Sequence, residues 1–154
     1  VNEVTIAVAD LEGTMELGRR LGSLLFPGAV IGLIGPLGAG KTHFVRAVAE
    51  GLGIRDSRIV SSPTFVLIQE YPARLPIYHF DTYRLKKLTE FADLGIDEYF
   101  AGDGVCLIEW ADRVAEFLPR ERLEIEIEVT GADSRMFRLR PRGETYQRLA
   151  DTLR

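Results

Sequence analysis

The spacing of hydrophobic positions changes several times along this chain, and each change marks an element. Residues 3–8 (EVTIAV) alternate and carry β-branched side chains, which predicts a strand. Leu17, Leu21, Leu24 and Leu25 then fall on one helical stripe, with Thr14 placed to cap it and Phe26-Pro27-Gly28 to stop it. Ala29 to Ile34 is apolar without alternation, as expected of a strand buried on both faces. HFVRAVAEGLG continues as a helix ending near Gly51 or Gly53. PTFVLIQEY and LPIYHFD read as two strands. The turn between them, around Pro72 to Arg74, is too short for a crossover helix and implies an antiparallel pair. Residues 88–100 read as one or two short helices broken by Gly95, and 104–109 (GVCLIE) as a second buried strand ending in a carboxylate. RLEIEIEVT and SRMFRLRP each alternate strictly around Gly131-Ala132-Asp133, which predicts a hairpin with one solvated face; residues 144–153 suit a closing helix.

Buried strands feeding helices, together with half-wet alternating strands, predict a three-layer α/β domain. Its central sheet is mixed and mostly parallel, with a C-terminal antiparallel hairpin. With 154 residues, 46% hydrophobic and 27% charged, one domain spanning 1–154 is expected. Nothing approaches eighteen consecutive apolar residues, so no membrane span is expected. Cys106, the single cysteine, cannot form an internal disulfide, which suggests a reducing, cytoplasmic address; mid-strand, it is expected to be buried. A net charge of −4 argues against a protein that wraps nucleic acid backbone. Of the basic residues only 3 are lysines, Lys41, Lys86 and Lys87, and Lys41 is flanked by glycine.

Residues 35–42 explain that isolated lysine. GPLGAGKT satisfies G-x-x-x-x-G-K-[ST] between a buried strand and a helix, the context a phosphate-binding loop requires. Glycines let backbone N–H groups turn inward around phosphates, and the helix adds the positive end of its dipole. The nucleotide-binding stretch is Gly35, Pro36, Leu37, Gly38, Ala39, Gly40, Lys41, Thr42 and His43. Within it Lys41 faces the β/γ-phosphates and the Thr42 hydroxyl is placed to ligand Mg²⁺. Pro36 has no N–H but precedes the cradling turn, and His43 suits packing or the surface better than catalysis.

Such a loop needs an acid at the end of a neighbouring strand, and Glu109, closing GVCLIE, is the Walker B candidate. Asp81 closes the other strand in YHFDTYRL. It could order the metal's water shell, position the attacking water, or cap the bend at Thr82. Thr64, in SSPTF, occupies a loop that could sense the γ-phosphate. Arg84, Lys86 and Lys87 could meet phosphates, a partner or only water. His79 reads as packed or hydrogen-bonded beside the site, and the two histidines lack the spacing of a zinc site. Arg135, Arg138, Arg140 and Arg142 either present a basic face or pair across strands with LEIEIEVT. Guanine readers use N-K-x-D, and Asn2 is the single asparagine, so adenine is favoured and an ATPase or ATP-dependent kinase remains.

The run of motifs GPLGAGKT, SSPTF, YHFDTYRL, LGIDEYF and LIEW, in this order and spacing, resembles the TsaE (YjeE) family of bacterial P-loop ATPases over nearly the whole chain. Members typically carry Asp where this chain has Pro36, and often Thr at the position of His43. The resemblance implies a P-loop NTPase fold and slow, Mg²⁺-dependent ATP hydrolysis. It also implies a role with a TsaD–TsaB pair in making threonylcarbamoyladenosine at tRNA position 37, with tRNA engaged indirectly through that complex. It implies phosphate and metal binding at Lys41 and Thr42, a Mg²⁺ ligand in Glu109 and a hydrolytic role for Asp81. Thr64 would be switch-like, and Trp110 would lie beside the nucleotide. A small-molecule or nucleoside kinase is the alternative.

Overall fold

The computed structural model describes residues 2–36, 38–61, 67–83 and 85–154. One mixed sheet carries seven strands: β1 (Val4–Val8), β2 (Val30–Ile34), β3 (Ile68–Tyr71), β4 (Ile77–Asp81), β5 (Val105–Glu109), β6 (Arg122–Val129) and β7 (Arg135–Arg142). Their order is β1-β7-β6-β2-β5-β4-β3. The pairings run β1, β2, β4, β5 and β6 in one direction, with β3 and β7 reversed. The expected antiparallel pairs, β3 with β4 and β6 with β7, are both present, although residues 63–66 of the strand expected over PTFVLIQEY lie outside the described residues.

The unbroken apolar runs occupy the centre, as strands covered on both faces must. Ile31, Leu33, Ile77 and Leu107 point toward α1 (Leu11–Leu24), α2 (Lys41–Gly51) and α5 (Glu144–Leu153). Val30, Phe80, Cys106 and Ile108 point the other way. There they meet the short helices α3 (Thr89–Ala92) and α4 (Ile96–Ala101) and a 3-10 stretch, Ala111–Phe117. Gly95 enters α4 at φ 75°, a left-handed conformation that separates the two short helices as expected.

Helix α1 sits unusually close to α2. A Cβ on Gly22 would lie 2.1 Å from the Val48 carbonyl oxygen, so only glycine permits this approach. That contact fixes α2, and with it the loop at its N-terminus. The cap of α1 corrects the sequence expectation: Asp10, not Thr14, accepts the Gly13 N–H at 2.8 Å, and Thr14 lies inside the helix, buried. The extended backbone of Asp10 (φ −154°) suits an N-cap, and its carboxylate reaches the first-turn N–H. The 3-10 stretch after β5 carries no periodic signal and was not anticipated. No helix among the described residues is long and apolar enough to cross a membrane.

Candidate functional site

The carboxyl ends of β2, β4 and β5 converge beneath the N-terminus of α2, where open α/β sheets place their ligands. Residues 35–40 connect β2 to α2, and Gly38 (φ 79°) and Gly40 (φ 94°) hold left-handed conformations that turn the loop. Lys41 opens the helix and is 6% exposed. Its Nζ donates to the Gly35 carbonyl and, at 3.1 Å, to the Pro36 carbonyl, and stands 3.7 Å from the centre of the Trp110 ring. Burial pushes the Lys41 ammonium below its usual range, while Glu109, Asp81 and Asp112 pull it back up.

Trp110 has φ 60° and ψ 40°, a left-handed conformation that few non-glycine residues adopt. It reverses the chain directly after Glu109, and the Tyr83 ring lies 4.8 Å from its ring. The Thr82 hydroxyl is within hydrogen-bonding distance of both the Glu109 carbonyl, at 3.0 Å, and the Trp110 carbonyl, at 2.9 Å. Arg113 donates to the carbonyls of Thr82, Tyr83 and Leu85, bracing the chain that leaves β4. Sequence reasoning overlooked this arginine, because the 3-10 stretch that carries it has no periodic signature.

Glu109 and Asp81 are register partners on β5 and β4, so their side chains leave the same face of the sheet. Glu109 is buried against His79, whose Nε2 lies 2.6 Å from its carboxylate, and His79 is thus the hydrogen-bonded neighbour the sequence suggested. Burial raises the Asp81 carboxyl above its usual range. The Tyr83 N–H, donated at 3.0 Å, opposes that shift and the Glu109 charge adds to it. Thr42 occupies the first turn of α2, partly buried, and His43 beside it is exposed. Glu109, Asp81 and Thr42 offer oxygen donors, the kind a hard divalent cation such as Mg²⁺ takes, although among the described residues no three acids, histidines or cysteines cluster as a ready-made metal site. Leu37, Thr64 and Arg84 lie outside the described residues, and Lys86 and Lys87 are exposed. Cys106 is buried as expected, and burial pushes its thiol up to about 12.

A cleft of about 200 Å³ opens beside the loop, lined by Leu11, Thr14, Gly38, His43, Asp133 and Arg135 among others. Leu11, Thr14 and Asp133 were not anticipated; they come from distant parts of the chain, and no spacing rule links them. Arg135 separates from the other hairpin arginines, since its Nε donates to the Ala39 carbonyl at 2.9 Å and ties β7 to the loop. Arg138, Arg140 and Arg142 instead pair with Glu124, Glu126 and Glu128 along the hairpin, the cross-strand alternative. A larger cavity, about 600 Å³, lies at the opposite end of the sheet among Arg120, Glu121 and Pro141, away from the loop.

The family model described as threonylcarbamoyl adenosine biosynthesis protein TsaE matches residues 8–137. The Bacillus subtilis tRNA threonylcarbamoyladenosine biosynthesis protein TsaE is 48% identical over 143 residues, 92% of this chain and 88% of that protein. Its Treponema pallidum counterpart is 44% identical, over 80% of this chain and 90% of its own length. A crystal structure of Bacillus subtilis YdiB superposes with a TM-score of 0.85 at 41% identity, covering 99% of this chain and 95% of that one. The topology and this neighbour together identify a P-loop NTPase fold.

Proposed function

The chain belongs to the TsaE family of threonylcarbamoyladenosine biosynthesis proteins, and from that premise we propose that it is a Mg²⁺-dependent ATPase subunit serving this tRNA modification with a TsaD–TsaB pair. The observation that carries the reading is Lys41, buried at the head of α2 and facing Glu109 and Asp81 across the strand ends. A buried lysine between carboxylates and a glycine loop is suited to polyphosphate, which satisfies it better than the carbonyls of Gly35 and Pro36 do.

In this reading the backbone of residues 35–40 receives the phosphates, and Lys41 swings from its carbonyls onto the β/γ-oxygens. The cleft lined by Leu11, Thr14, His43 and Arg135 receives the nucleoside. Trp110, packed on Tyr83, walls the site on the far side of Lys41. Glu109 and Thr42 would hold Mg²⁺, which when bound neutralises phosphate charge. Asp81 sits two residues past His79 at the strand mouth, where it orients the attacking water or takes its proton. The raised Asp81 carboxyl suits proton acceptance, since burial makes it a stronger base. Thr64 remains the residue proposed to sense the γ-phosphate. The acidic net charge of −4 suits a subunit whose partners hold the tRNA.

The test is capture of purified TsaD and TsaB by the tagged chain with ATP or ADP, followed by turnover on the captured complex. ATP-dependent association and stimulated orthophosphate release are expected. A phosphorylated metabolite would instead identify a kinase, and no association with either nucleotide would remove the partnership.

A further inference from the structure

We propose that His79 and Tyr71 are positioning residues that orient Glu109 for the metal, through a buried hydrogen-bonded chain reaching the backbone of Ser61. The proposal rests on the reading of Glu109 as a Mg²⁺ ligand. Strand alternation puts Ile77, His79 and Asp81 on one face of β4, with Glu109 beside them on β5 and Tyr71 diagonally across on β3. His79 is 0% exposed and Glu109 2%. A carboxylate at that depth costs several kcal/mol unless it is paired, and the His79 Nε2 contact, at 2.6 Å to Oε2, supplies the pairing.

That contact does more than neutralise a penalty. Holding Oε2 restrains the rotation of the carboxylate and leaves Oε1 as the oxygen a cation would meet. The Tyr71 hydroxyl lies 3.2 Å from Nδ1 on the other side of the ring, so both ring nitrogens are held and the plane of the imidazole is set. The same hydroxyl lies 2.5 Å from Gln69 Oε1 and 3.2 Å from the Ser61 carbonyl, which share its one proton with Nδ1, and it accepts the Ser61 N–H at 3.4 Å. Ser61 belongs to the connection between α2 and β3. Tyr71 is therefore a junction: one side steadies the imidazole on Glu109, the other holds the chain just before Thr64.

The experiment measures Mn²⁺ binding to the ADP complex, by the electron paramagnetic resonance signal of free Mn²⁺, and ADP binding in EDTA by calorimetry. His79→Leu is expected to weaken Mn²⁺ about 10–100-fold, the usual loss on removing a partner of a metal ligand, with metal-free ADP binding unchanged. His79→Gln keeps an N–H for Glu109 and is expected to recover most of the loss. Tyr71→Phe is expected to weaken Mn²⁺ by a smaller factor. Unchanged Mn²⁺ affinity in folded His79→Leu overturns the proposal, or in Tyr71→Phe should the leucine variant not fold. Equal loss of ADP binding with and without metal overturns it too, as the sign of a general packing role. Wild-type protein that binds ADP but takes up no Mn²⁺ removes the metal-ligand reading itself, a failure distinct from that of the positioning.

Discussion

Two groups of strand carboxylates differ both in sequence pattern and in environment. On β6, Glu124, Glu126 and Glu128 alternate with Leu123, Ile125 and Ile127; on β4 and β5, Asp81 and Glu109 close apolar runs. The hairpin acids lie on the side of the sheet that α3 and α4 leave uncovered, increasingly wet along the strand: the side chains of Glu124, Glu126 and Glu128 are 12%, 35% and 49% exposed. Asp81 and Glu109 lie under the head of α2, 9% and 2% exposed. Arginines answer the first group along an antiparallel register, whereas the second meets Lys41 and His79. Charge in water is cheap to place and contributes little, while charge under a helix is costly and persists where a ligand requires it.

The strongest way to break this contrast is Lys41→Ala. Loss of the one lysine facing the strand-end carboxylates is expected to weaken ATP about 100-fold or more, the ~3 kcal/mol scale of a strong charge-assisted contact. Calorimetric titration checks it, and wild-type affinity in the variant would remove the assignment of the loop.

Asp81→Asn sharpens the contrast by separating chemistry from binding. Turnover is expected to fall about 100-fold or more, while ATP affinity changes little because Asn retains the oxygen that accepts the Tyr83 N–H. The same substitution carries a pH signature. Burial raises the folded carboxyl above its unfolded value, so the native state holds the proton more tightly. Asp81 therefore destabilises the fold at neutral pH, and this cost diminishes as pH falls through the native value toward the unfolded one. Metal-free Asp81→Asn should accordingly melt above wild type at pH 7, with the gap narrowing in acid. A gap that widens in acid would contradict the burial argument.

The strands, the hairpin and the loop-to-helix junction were legible in the sequence because local spacing specifies them. Gly35 to Thr42 is contiguous, and the apolar runs of β2 and β5 announce burial without any knowledge of neighbours. The cleft was not legible: Leu11, Thr14, Asp133 and Arg135 meet there because β1, β7 and α1 fold back around the loop. Arg113 was missed for a related reason, since its partners are three backbone carbonyls that no side-chain pattern encodes. The α1 cap erred by four residues because Asp10 and Thr14 are both good capping residues, and the choice rests on which one the core buries.

Arg138→Ala carries the smallest expected effect. Arg138 contacts Glu128, Glu126 at 3.5 Å and Glu3 at 3.9 Å, which gives it more acidic partners than any other arginine of β7. Its side chain is nevertheless 32% exposed, enough for water to screen each attraction, and side-chain freedom is lost to keep it in place. Removing it should lower the melting temperature by about a degree or less at low salt, vanish at high salt, and leave ATP affinity untouched. Arg135→Ala is the control within the same strand, because Arg135 holds the Ala39 carbonyl rather than a neighbouring acid. It should weaken nucleotide binding with no salt-dependent change in stability. If the two variants behaved alike, the division between a solvated charge ladder and a buried nucleotide site would not run through β7.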